Sequence, residues 1–66
     1  MISALPERIR LVIDLATMRD VQVELTDTAV RIGPVDVSHG STMALYDAIL
    51  RAEMTSLGDG RWEWRR

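Results

Sequence analysis

The chain has 66 residues, no cysteine and a formal charge of −2, which excludes disulfide staples and thiolate metal sites and gives no overall drive towards nucleic acid or anionic membrane. A chain of this length buries only roughly 60% of its unfolded surface, so the core is thin and association with another chain is a common remedy. A hydrophobic share of 47% with 27% charged residues is a globular composition rather than a disordered one.

All the basic residues are arginine, a pattern that a GC-rich coding bias explains before function does. No apolar run approaches the roughly 20 residues of a membrane span, and no export signal follows Met1, so a cytoplasmic protein is expected.

From Ser3 to Met18 the residues Leu5, Ile9, Val12, Ile13 and Ala16 fall at helical spacing, opposite Glu7, Arg10, Asp14 and Thr17. Ser3 is the expected N-cap, Pro6 and Glu7 suit a first turn, and Arg10 with Asp14 forms an i, i+4 pair. Leu11, Leu15 and Met18 add a second apolar line, wider than one sheet face requires.

Val21 to Ile32, VQVELTDTAVRI, alternates on both sides of a short polar break and reads as a β-hairpin. Pairing Leu25 with Val30 and Val23 with Ile32 collects the apolar residues on one face and sets Glu24 opposite Arg31. Asp27-Thr28 is not a tight primed-turn pair, so a looser loop is expected. Gly33-Pro34 breaks the alternation, and Val35 and Val37 resume it with changed parity, as a bulge or bend would.

Ser38-His39-Gly40-Ser41 is a loop leading into a helix over 42–57, with Ser41 preferred to Ser38 as N-cap. Met43, Tyr46, Leu50, Met54 and Leu57 form the expected inner face, flanked by Leu45 and Ile49, with Asp47 and Arg51 paired on the far side. Gly58 reads as the helix C′ residue and Asp59-Gly60 as a turn. Arg61 to Arg66, RWEWRR, alternates strictly and forms a third strand with both tryptophans on one side.

These elements give a single α+β domain over 1–66, two-layered, in the order helix, strand, strand, helix, strand. Its three-stranded antiparallel sheet has the order 2-1-3, with the VQVEL strand central, and two helices cover one face. Val21, Val23 and Leu25 are then its most buried residues.

Chemistry is sparse. His39, Gly40 and Ser41 stand where backbone N–H groups at a helix start hold an anion, but the signal is weak and a loop histidine that caps the helix is the better explanation. Asp36, His39 and either Ser38 or Ser41 lie too close in sequence to converge as a catalytic triad. No catalytic, metal or cofactor motif is present, so neither enzymatic activity nor a cofactor is expected.

RWEWRR is the most distinctive stretch. Its tryptophans supply core bulk, or pack against a partner, or join the arginines in a surface for single-stranded nucleic acid. The resulting expectation is a small non-catalytic protein-binding module, a homodimeric regulator or inhibitor of the antitoxin-like or phage accessory kind. It would bind through Trp62, Trp64, Arg61, Arg65, Leu11, Leu15 and Met18. A nucleic-acid module using the C-terminal Arg/Trp strand is the alternative.

Overall fold

The structure, a computed structural model, describes residues 5–36, 38 and 40–66, and of Ser41 the backbone only. It is an α+β fold in which helices α1 (Glu7–Met18) and α2 (Met43–Arg51) pack on an antiparallel sheet. The strands are β1 (Val23–Leu25), β2 (Ala29–Ile32), β3 (Thr55–Gly58) and β4 (Arg61–Arg65), and a 3-10 turn over Gly40–Thr42 leads into α2.

Pro6 occupies the N-cap position of α1. Its carbonyl accepts the N–H groups of Ile9 at 3.0 Å and Arg10 at 3.1 Å, and its own missing N–H costs nothing there. The expected Ser3 cap lies outside the described residues. Ile9, Val12 and Ala16 are buried, and Ile13 packs partly against them. Arg10 and Asp14 are both exposed, and among the described residues no ion pair joins them.

Both helices end in the same way. Asp20 takes a left-handed φ of 58° while Asp20 N–H donates to Thr17 O and Val21 N–H to Ala16 O, which is the Schellman arrangement. Glu53 repeats it, also at φ 58°, with Glu53 N–H donating to Leu50 O and Met54 N–H to Ile49 O. Each motif turns the chain out of a helix and into a strand.

The β1–β2 hairpin has the register read from sequence, Val23↔Ile32, Glu24↔Arg31 and Leu25↔Val30. In its loop the Thr26 Oγ1 accepts Ala29 N–H at 3.0 Å and Thr28 N–H at 3.3 Å, so a side chain supplies the acceptor a tight turn would take from backbone.

The sheet differs from expectation. Among the described residues it has four strands in the order β1-β2-β4-β3, because α2 stops at Arg51 and residues 55–57, assigned by helical spacing to the second helix, form β3 together with Gly58. Asp59 and Gly60, at φ 55° and 78°, make the tight connection to β4. Gly58 is a strand residue with φ 87° and not the end of a helix.

β2, not β1, therefore lies inside the sheet, with β1 and β4 both antiparallel to it. Val30 and Ile32 are buried, as is Ala29, whereas Val21 and Val23 are half-buried and Leu25 is 42% exposed. The expected central strand is an edge.

Val30↔Trp64 and Ile32↔Trp62 are neighbours across β2 and β4, so both tryptophans face the helices and pack partly against the core. The inner face of α2 is Leu45, Ala48 and Ile49. Met43 and Leu50, read as inward, are exposed, because helix packing against α1 as well as the sheet rotates the buried stripe onto the Leu45 side; Leu57, read the same way, is exposed on β3. Tyr46 lies between and meets Trp62 edge to face at a ring separation of 5.9 Å.

After β2 the chain leaves the sheet at Gly33-Pro34. Val35, buried, donates its N–H to Gly60 O at 2.8 Å, fastening this segment to the β3–β4 turn. A Cβ at Gly33 would stand 2.7 Å from Gly60 O and one at Gly60 2.8 Å from Val35 O, so both glycines are needed for the backbones to approach.

Candidate functional site

On the sheet face turned away from the helices, odd-numbered residues of β2 and β4 meet Glu24 of β1. Arg31 donates to Glu63 Oε2 through Nε at 2.7 Å and to Glu24 Oε1 through Nη1 at 3.1 Å, while Arg65 Nη1 lies 3.4 Å from the same Glu63 oxygen. The hydrogen bonds to Glu63 and then Glu24 hold the Arg31 pKa above its ordinary value, since each favours the charged form. The result is a Glu-Arg-Glu-Arg ladder across three strands, mixed in sign as the alternation implied.

Beside this ladder a shallow depression of about 500 Å³ is lined by Gln22, Gly33, Leu57 and Arg61, with Glu24 and Arg31 at its wall. Leu57 reaches this face at the β3 bulge between Ser56 and Gly58. The contribution of β3 to the face has no counterpart in a reading that made Leu57 helical.

The expected binding residues do not form one surface. Trp62 and Trp64 lie under the helices, half-buried, and Arg61 and Arg65 are exposed on the opposite face of β4. Leu11 at 52% and Met18 at 76% exposure stand on the solvent side of α1, with Leu15 half-buried beside them. Six large apolar side chains are exposed among the described residues: Leu11, Met18, Leu25, Met43, Leu50 and Leu57.

In the anion-site candidate, His39 lies outside the described residues and Gly40 opens the 3-10 turn. Thr42, not Ser41, holds the N-cap position of α2, and its hydroxyl donates to the Asp36 carbonyl rather than accepting from the helix. Ser38 N–H and Oγ both donate to Asp36 Oδ1, at 3.0 and 2.6 Å, a local turn that occupies two members of the supposed triad with each other. Among the described residues no cluster of three potential metal ligands occurs, and no helix is long and apolar enough to cross a membrane.

Comparison with protein-family models, with curated protein sequences and with solved structures gave no match.

Proposed function

We propose that this chain is a small non-catalytic protein-binding module that works as a homodimer, in the manner of a regulator or inhibitor of the antitoxin-like or phage accessory kind. The homodimer is favoured by the thin core of a 66-residue chain, and the observation that carries the protein-binding reading is the apolar surface of α1. Leu11, Leu15 and Met18 follow one another along the helix, yet its buried face is complete without Leu11 and Met18. Isolated exposed leucines are ordinary, but an aligned set in a chain this small favours a partner.

The nucleic-acid alternative has weaker support. Its aromatics face the helices and two of the sheet-face arginines are engaged by Glu63, whereas a stacking platform needs exposed aromatics beside free cations.

The test is sedimentation of the full chain across concentration, followed by binding of an apolar dye to wild type and to a Leu11→Ser, Met18→Ser variant. The reading expects a mass rising from 7.5 kDa towards twice that, and dye binding that falls in the variant. A chain that stays monomeric to millimolar concentration refutes the homodimer, and unchanged dye binding refutes the α1 surface.

A further inference from the structure

Ladder parity determines what β1 presents to its free side. Gly33 N–H donates to Gln22 O and Thr26 N–H to Ala29 O, so the hydrogen-bonded pairs of this hairpin are Gln22/Gly33, Glu24/Arg31 and Thr26/Ala29. Val23 and Leu25 occupy the alternate positions, and their N–H and C=O groups turn away from β2 towards open solvent.

The two sheet edges are not equivalent. β3 is interrupted by its bulge, a recognised way of blunting an edge. β1 carries no bulge, proline or lysine, and its exposed Leu25 is on the apolar side of the sheet. Its outward groups are both donors and acceptors, so a second β1 is a complementary occupant.

We propose that two copies of the chain join antiparallel through β1, about a two-fold axis at Val23, making one sheet of twice four strands. This rests on the homodimer reading above and assigns its interface. Three registers place the axis on a residue of β1. An axis at Glu24 sets two carboxylates side by side, and an axis at Leu25 runs Val23 into the Asp27 turn.

The axis at Val23 has neither fault. Each Val23 exchanges both bonds with its copy, and each Leu25 N–H donates to the opposite Val21 carbonyl, the Val21 N–H being held by Ala16 O. On the apolar face Val23 meets Val23, and Leu25 meets Val21. On the polar face each Gln22 amide meets a Glu24 carboxylate, whose Oε1 holds Arg31 while Oε2 accepts the amide. An isologous contact of this kind closes at two copies, and its short length makes the dimer dependent on concentration.

The chain has no cysteine, so Val23→Cys introduces a single thiol. Hydrogen-bonded antiparallel partners have Cα atoms about 5.5 Å apart, within disulfide reach. Val23→Cys under mild oxidant is expected to give a disulfide-linked dimer, with Glu24→Cys at least about tenfold slower because its copy is displaced along the strand. Val23→Pro removes the outward N–H without removing a bond to β2 and is expected to sediment as a monomer where wild type is dimeric. Gln22→Glu, at an exposed position, is expected to weaken the dimer about tenfold at low salt and to recover in high salt.

A wild-type dimer that neither cross-links at Val23 nor weakens in Gln22→Glu overturns the β1 interface but leaves the homodimer reading standing. A wild-type monomer at every concentration overturns both. If Val23→Pro fails to fold, the cross-linking rates decide.

Discussion

Replacing Gly33 by alanine tests the contact that joins the two hairpins. Gly33 has φ 132°, and an added Cβ meets Gly60 O at 2.7 Å and Arg61 Cα at 2.8 Å. Both are backbone atoms that cannot rotate aside. Strain in a glycine-only conformation costs about 1–3 kcal/mol, and forced overpacking adds about 1–3 kcal/mol. A domain of this length has a total stability of about 3–10 kcal/mol, so Gly33→Ala removes a large share of it. With a urea slope of about 1 kcal/mol/M for a small domain, the midpoint should fall by about 2 M or more. Fluorescence of Trp62 and Trp64 reports the transition. Gly40→Ala is the control, since no described atom lies within 4 Å of its Cβ, and its midpoint should stay near that of wild type. A Gly33→Ala midpoint within about 0.5 M of wild type would refute the close approach.

The helix ends and the charge ladder give further expectations. Glu53→Gly relieves a left-handed residue at φ 58° and should raise stability by about 1 kcal/mol in the same denaturation assay; a loss would show that the Glu53 side chain matters more than its backbone. A double-mutant cycle on Arg31 and Glu63, whose side chain is 12% exposed, should give a coupling near 1 kcal/mol, against a few tenths for Arg31 and the exposed Glu24. Tyr46→Leu should cost about 0.5–1.5 kcal/mol through the lost edge-to-face contact with Trp62 and shift the tryptophan emission. Leu11→Ser with Met18→Ser should leave stability within about 0.5 kcal/mol of wild type and, because the self-contact is assigned to β1, leave the sedimented mass unchanged.

Much of this architecture is legible in the residues. Alternation set the first hairpin's register, because a slip of one residue would invert every apolar position, and it put both tryptophans on one side of their strand, but that this side faces the helices came only from the pairing with Val30 and Ile32. The second helix misled because Met43, Tyr46, Leu50, Met54 and Leu57 keep helical spacing past Glu53, where the backbone turns left-handed without a glycine to announce it. Asp59-Gly60 carried the missing signal: both residues take positive φ, the requirement of a tight hairpin turn, and this implied a strand on each side. Once that hairpin is recognised, β4 no longer needs a helical crossover and β2 takes the inner place. Ala29 hinted at it, as a small residue on the otherwise charged face of a β-branched strand. The sheet-face depression was not legible, since Leu57 reaches it only because 55–58 is a strand and not helix.

The pairing of β2 with β4 also bears on how the chain folds. Each hairpin closes over a handful of residues, but Ala29↔Arg65 and Ile32↔Trp62 join segments separated by most of the second half of the sequence. Closing a loop of that length costs about 3 kcal/mol in chain entropy, charged before Val30 and Ile32 gain strands on both sides. The hairpins are therefore expected to form as local, fast units, with their docking as the step that should set the folding rate. Substitutions in the Thr26 loop, whose hairpin forms before docking, should slow folding, and so should those along the β2–β4 seam.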